Sequence, residues 1–143
     1  MKNDVDFFKL LGDRNRLRIA LLLAEGELFV CQLTTVLELS QPLVSKNLRQ
    51  FERAGVAQSL HRGKLVFYRL ADDLPNHQMA ILQATRTAVK ARDPFRSDMN
   101  NLRLMQECMR RMGGESPCAM PALRQFLIAR TRQSPSKEKT WNT

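Results

Sequence analysis

The segment LSQPLVSKNLRQFERAG, residues 39–55, constrains the fold of this chain more than any other. Its apolar side chains recur at helical spacing and cluster on one side at about 100° per residue. They are Val44, Leu48 and Phe51. Ser40 is a favourable N-cap, Pro42 falls in the first turn where its missing N–H costs nothing, and Gly55 suits the position just beyond the end. The segment therefore predicts a short helix with a buried side.

The opposite side of this predicted helix is polar and basic. It carries Pro42, Lys46, Arg49, Gln50 and Arg53. The preceding stretch LFVCQLTTVLEL also has helical spacing, so two helices follow one another across a short turn. Two such helices, the second with a basic outer face, are typical of a helix-turn-helix unit that binds DNA.

The charge distribution agrees with a polyanionic partner. The formal net charge is +9, and residues 41–71 hold six basic side chains against one acidic one, whereas residues 1–40 hold five against six. A local basic block in a folded region fits nucleic acid, although a solvated charged face would have the same composition. The helical pattern favours nucleic acid.

A β-hairpin is predicted directly after the basic helix. Arg62-Gly63-Lys64 makes a tight turn, and residues 65–70, LVFYRL, are β-branched and aromatic enough for a strand. Alternation places Val66, Tyr68 and Leu70 inward, with Phe67 and Arg69 outward. A hairpin with a basic tip beside a helix-turn-helix is a wing.

The remaining chain predicts further helices. A short helix spans Val5 to Leu11 and ends at Gly12, and Asp13 caps a second, from Arg14 to about Leu23, that is apolar nearly all round. A helix from about Asn76 to Arg92 has a narrow apolar seam, which suits pairing in a dimer or packing on its own core. Predicted interface residues are Phe7, Phe8, Leu11, Met79, Leu82 and Val89.

The predicted fold is mainly α with a small β-hairpin: a homodimeric winged helix-turn-helix with an additional C-terminal helical segment. Residues 1–92 form the DNA-binding and dimerisation domain. Residues 93–132 form a helical extension in which an amphipathic helix ends at Gly113-Gly114 and a last helix runs from Pro121 to about Arg132. Residues 133–143 are predicted to be a disordered tail.

Four segments together resemble the ArsR/SmtB family of metal-sensing winged-helix repressors. They are LGDRNRLRIALLL, GELFVCQL, LSQPLVSKNLRQFERAGV and GKLVFYRL, within residues 5–92. GELFVCQL further resembles the arsenic-sensing branch. The resemblance implies a homodimer that sits on double-stranded operator DNA and leaves it when an inducer binds.

Candidate DNA contacts follow from the helix and the wing. Gln41 suits adenine and Lys46 suits guanine, whereas Leu43 either meets a thymine methyl or packs inward. Ser45 and Asn47 could reach bases or phosphates, and the arginines and Lys64 suit phosphates. The predicted set is Gln41, Pro42, Leu43, Ser45, Lys46, Asn47, Arg49, Arg53, Arg62 and Lys64.

Three cysteines are the candidate inducer ligands. The resemblance implies a C-x-C-x-x-C site, but its places hold Phe29, Cys31 and Thr34, so only one thiolate remains there. Cys108 and Cys118 can supply two more, because the glycines between them let the chain fold back. Three thiolates suit trivalent arsenic or antimony, with Cys31 coming from the same chain or its mate. In a reducing cytosol, these cysteines are expected to be thiols.

Other interpretations remain open. A methylated arsenical needs only two thiolates, Cys108 and Cys118 could form a peroxide-responsive disulfide, and buried cysteines in a constitutive DNA-binding protein would need no inducer. Lone His61 and His77 exclude the paired His/Asp zinc site of relatives. We find no nucleophile–base constellation or phosphate loop, so no enzyme is expected. No apolar run nears the ~18 residues of a membrane span, and no secretion signal begins the chain, which predicts a cytoplasmic protein.

Overall fold

The computed structural model describes residues 3–111. The predicted last helix, the tail and Cys118 therefore lie outside the described residues. The elements in chain order are α1 (Asp4–Leu11), α2 (Arg14–Leu23), β1 (Leu28–Phe29), α3 (Val30–Leu37), α4 (Gln41–Arg53), β2 (Ala57–Arg62), β3 (Leu65–Leu70), α5 (Asn76–Val89) and α6 (Phe95–Arg111).

The predicted caps of α2 and α4 are confirmed. The Asp13 side chain accepts a hydrogen bond from the backbone N–H of Arg16 at 3.0 Å. The Ser40 hydroxyl accepts one from the backbone N–H of Leu43 at 3.4 Å, and Pro42 lies in the first turn. Gly55, with φ 72°, follows the end of α4 in the left-handed region that glycine tolerates best. Local chemistry thus fixes where the basic helix begins and ends.

A three-stranded antiparallel sheet, in the order β1-β3-β2, replaces the predicted two-stranded hairpin. The hairpin turns at Gly63, and the added strand β1 pairs Phe29 with Phe67. The predicted alternation holds, since Tyr68 belongs to the core cluster and Phe67 does not, yet only 4% of Phe67 is exposed. Its ring contacts Phe29 edge to face, with centroids 5.5 Å apart. Two residues of β1 are too short a run for alternation to indicate a strand.

The core joins all six helices. Ile19 to Leu23 of α2 are all buried, as the continuous apolar pattern of that helix predicts. The side chains of Leu102 and Met105 in α6 belong to the same core cluster. Phe95–Arg111, which the sequence assigned to a C-terminal extension, therefore packs with the winged-helix elements.

Two predicted dimer contacts need correction. Phe7 and Leu82 are buried within the single chain, so they have almost no surface left for a second copy. Leu11, Met79 and Val89 are half-buried, and Phe8 is exposed. Helical periodicity identifies an apolar side but does not say whether the same chain or another covers it.

No helix within residues 3–111 combines the length and the apolar character needed to cross a membrane.

Candidate nucleic-acid interface and cysteine site

The outer face of α4 presents the cations that the sequence predicted. Lys46, Arg49 and Arg53 are exposed, and so are Gln41 and Pro42 at the N-terminal end. Leu43 and Ser45 are half-buried beside them. Val44, Leu48 and Phe51 are fully buried on the other side, which holds the helix against the core. The arrangement leaves a polar helix N-terminus and a cationic ridge open to a large partner.

Asn47 is a correction to the predicted DNA contacts. Only 5% of it is exposed, so it cannot reach bases or phosphates. It lies about 60° from Val44 around the helix axis, next to the apolar side. The helical position therefore already favoured an inward direction, despite the polar side chain.

The wing places its two predicted phosphate contacts differently. Lys64 is exposed at the hairpin turn. The Arg62 guanidinium lies 4.4 Å from the centroid of the Phe67 ring and 3.1 Å from a carboxylate oxygen of Glu27. Arg62 therefore lies over Phe67 of β3 and pairs with Glu27, an arrangement that sequence spacing did not indicate.

Arg16 of α2 contacts α4, the basic helix of the helix-turn-helix, on its protein-facing side. The sequence did not predict this contact. The Arg16 Nε donates to the carbonyl of Leu10 at 2.6 Å and its Nη2 to that of Lys9 at 3.4 Å. Its Nη1 donates to the Gln50 side-chain oxygen on α4 at 3.2 Å. Because the partners come from two other helices, no local sequence pattern signals this role.

The cysteine-bearing helices α3 and α6 run antiparallel beside one another. The Gln32 side-chain amide donates to the Met109 sulfur at 3.1 Å, and the Asn101 amide donates to the Val36 carbonyl at 3.3 Å. Cys31 and Cys108, the neighbours of Gln32 and Met109 in the chain, are both half-buried. The fold thus brings the segments that carry these two cysteines to the same end of the helix pair.

The chemical state of Cys31 differs from the predicted thiol: it is disulfide-bonded in this structure. Forming a disulfide needs two sulfurs within bonding distance and an oxidant that accepts two electrons, whereas a reducing compartment favours thiols. Within residues 3–111, no group of three His, Cys, Asp or Glu side chains is placed to hold a metal ion. The predicted three-thiolate set also needs Cys118, which is outside the described residues.

A buried ion pair fastens the other end of the α3–α6 pair. Arg18 of α2 donates to both carboxylate oxygens of Asp98 on α6, each at 2.8 Å, and to the Leu37 carbonyl at the end of α3 at 3.0 Å. The hydrogen bond to Asp98 raises the pKa of Arg18. Burial raises the pKa of Asp98 even though Arg18 favours its charged form. One guanidinium therefore joins three helices.

His77 contacts α1 in this structure. Its Nε2 lies 2.6 Å from Asp4 Oδ1, which also accepts from the Gln78 amide at 3.0 Å. Two hydrogen bonds lower the pKa of Asp4, and the bond with Gln78 has a larger effect than the bond with His77. These contacts hold the start of α1 on the start of α5.

The comparisons with known proteins concern the winged-helix segment. A model of the family "Bacterial regulatory protein, arsR family" matches residues 13–59. The arsenic resistance regulator ArsR2 of Pseudomonas putida is 42% identical over 84 residues, which are 58% of this chain and 73% of that protein. The chain belongs to the ArsR family.

Two other ArsR-family relatives are similar over a shorter share of their length. ArsR1 of Pseudomonas putida is 47% identical over 77 residues, which are 53% of this chain and 60% of ArsR1. The arsenical resistance operon repressor of Escherichia coli is 44% identical over 50% of this chain and 62% of its own. The chain thus matches somewhat more than half of each. These relatives are transcriptional regulators by name, and none is an enzyme.

Solved structures of related regulators share the fold. Reduced HlyU from Vibrio cholerae has a TM-score of 0.55 at 28% identity, covering 60% of this chain and 87% of that one. The repressor BigR from Xylella fastidiosa has a TM-score of 0.53 at 26% identity, and the match covers 59% of this chain and 84% of BigR. The winged helix-turn-helix fold predicted from the sequence is confirmed.

Proposed function

We propose that this ArsR-family protein is a transcriptional repressor that binds double-stranded operator DNA and leaves it when a thiophilic inducer binds. The observation that carries the proposal is the exposed basic face of α4, formed by Lys46, Arg49 and Arg53, with Gln41 exposed at the N-terminal end of the same capped helix. Such a helix can enter the major groove with its N-terminal side chains at base edges, while the arginines pair with phosphates.

A homodimer is part of the proposal. Val5 and Phe8, one turn apart on α1, are 59% and 56% exposed and are the large apolar side chains most open to solvent in residues 3–111. An exposed apolar pair on a helix that is otherwise well anchored favours coverage by a second copy. Two copies would present two recognition helices to a two-fold operator.

Trivalent arsenic or antimony is the proposed inducer, bound by Cys31, Cys108 and Cys118. The Gln32–Met109 contact supports a site between α3 and α6, and three thiolates suit a soft trivalent ion. α3 directly precedes α4 in the helix-turn-helix. An ion bound at the cysteine end of α3 and α6 would therefore shift α3, carry α4 with it and favour the form that is off DNA.

The test is a titration of a fluorescent duplex enriched from a random pool by the fully reduced protein. The duplex complex is challenged separately with arsenite, antimonite, methylarsenite, cadmium and hydrogen peroxide. The proposal expects arsenite and antimonite to release the DNA under full reduction, and Cys31→Ser, Cys108→Ser and Cys118→Ser each to abolish that release. Arsenite release that survives all three substitutions would contradict the thiolate site.

The disulfide-bonded state of Cys31 favours one second candidate, a thiol–disulfide switch that involves Cys31 and not only the predicted pair Cys108 and Cys118. In that case hydrogen peroxide releases the duplex, dithiothreitol restores binding, and arsenite has no effect on the reduced protein. Release by methylarsenite alone would instead indicate a two-thiolate site for methylated arsenicals. Release by none of these reagents would indicate a constitutive DNA-binding protein.

A further inference from the structure

Arg16 joins the end of α1 to the flank of the recognition helix. Its guanidinium donates to the Leu10 and Lys9 carbonyls, two acceptors at the C-terminal end of α1, and to the Gln50 side chain on α4. The backbone N–H of the same residue donates to Asp13, which fixes its place in the first turn of α2. One planar, permanently charged side chain therefore connects α4 to α1.

We infer that Arg16 and Gln50 act together as positioning residues, which hold the recognition helix at a fixed orientation to α1. The inference rests on the proposed DNA binding. Because α1 also carries exposed Val5 and Phe8, the same link would fix the distance between the two recognition helices of a dimer. Gln50 then supports DNA binding through its bond to Arg16 and need not touch the duplex.

The geometry distinguishes this role from a direct DNA contact. Gln50 is half-buried, while Lys46, Arg49 and Arg53 on the same helix are exposed. It lies roughly 40° from Lys46 and 60° from Arg53 around the helix axis, so its burial and its bond to Arg16 distinguish it from the exposed cations. Its oxygen is occupied by a charged donor, which costs free energy to release when the acceptor turns toward DNA.

The decisive experiment measures affinity for the selected duplex with Gln50→Ala, Gln50→Glu and Arg16→Lys. Gln50→Ala is expected to weaken binding about tenfold, because a bond to a charged donor is lost. Gln50→Glu keeps an acceptor for Arg16, so it is expected to weaken binding no more than Gln50→Ala does. A much larger loss with Gln50→Glu would place this side chain against phosphates and overturn the inference.

A double-mutant cycle tests whether the two residues act as a unit. Lysine keeps the charge of Arg16 but lacks the fork that reaches three acceptors. The Arg16→Lys, Gln50→Ala double variant is expected to bind about as well as the weaker single variant, whereas additive losses would overturn the inference. If Arg16→Lys fails to fold, the comparison between Gln50→Ala and Gln50→Glu is sufficient to test the inference. Both of these variants are expected to fold, because Gln50 is only half-buried.

The dependence of affinity on half-site spacing separates a positioning role from a role in stability alone, because a residue that only stabilises the fold would not change that dependence. Duplexes with one base pair added or removed between half-sites are compared for the wild type and Gln50→Ala. The inference expects the variant to discriminate less between spacings, and unchanged discrimination would overturn it. Arg53→Ala is the matched control for a phosphate contact. This variant is expected to reduce the slope of log affinity against log salt by about one. Absence of any wild-type binding would instead overturn the proposed function.

Discussion

Lys46 and Asn47 are adjacent in the chain, yet α4 directs them to opposite environments. Lys46 is exposed on the outer face, and Asn47 is buried beside Val44 and Leu48. A helical step of about 100° makes such contrasts ordinary. At the residue scale, the exposure of a polar side chain on α4 therefore depends on helical phase more than on polarity.

Lys46→Ala is expected to weaken duplex binding by about 1–3 kcal/mol, because it removes both a charge and a base-edge donor. Fluorescence anisotropy with the selected duplex measures the change. Lys90→Ala, at an exposed position just after α5, is the control and should leave the affinity nearly unchanged. An equal loss in both variants would show that only net charge matters and that α4 is wrongly assigned.

Glu27 is expected to compete with DNA phosphates for the guanidinium of Arg62. Glu27→Gln removes the carboxylate 3.1 Å from the guanidinium and leaves the cation available to phosphate. The slope of log affinity against log salt is expected to steepen by about one. Glu25→Gln is the matched control, because Glu25 pairs with Arg86 on α5. The same steepening in both variants would reduce the effect to overall charge.

At the scale of elements, α6 is held on α3 at both ends by side chains. Gln32 contacts Met109 at the cysteine end, and Arg18 joins Asp98 to the end of α3 at the other. Exposed fractions of only 12% and 5% make the ion pair costly to break from one side. The pair would therefore serve as the fixed end of α6 when an inducer binds at the cysteine end.

Asp98→Ala is expected to lower the free energy of unfolding by about 3 kcal/mol, because it leaves the Arg18 guanidinium buried without its carboxylate. Urea denaturation of the reduced protein measures the loss. The control, Asp72→Ala, removes an exposed partner of Arg69 and is expected to cost less than about 1 kcal/mol. Equal losses would mean that burial does not set the cost.

At the scale of the whole molecule, α1 combines a core contact with an exposed apolar pair. Phe7 packs into the core, whereas Val5 and Phe8 point outward on the same short helix. Asp4 fastens the start of α1 to α5 and Arg16 fastens its end to α4. The exposed apolar pair is therefore held in a fixed place relative to the recognition helix, as a dimer that spans two half-sites requires.

Phe8→Glu is expected to prevent the proposed dimer from forming, because it would place a charge in the proposed apolar contact. Sedimentation velocity measures the oligomeric state, and duplex affinity should fall with it. Circular dichroism should stay unchanged, since Phe8 is exposed in the single chain. Gln106→Glu adds the same charge at an exposed position of α6 and should leave the dimer intact. A dimeric Phe8→Glu variant would exclude α1 as the interface.

The sequence by itself determined the recognition helix, because caps, glycine and apolar spacing act within a few residues. Ser40, Pro42, Val44, Leu48 and Gly55 are sufficient to place α4 and its basic face. The wing turn at Gly63 followed from the same local chemistry.

Only the tertiary structure decided which contacts join distant segments. It buried Phe7, Phe67 and Leu82, added β1 to the sheet and placed α6 in the core. The links through Arg16 and Arg18 also depend on it, since each connects three helices. Periodicity reports that a side chain seeks cover, whereas the identity of the covering group depends on how the whole chain packs.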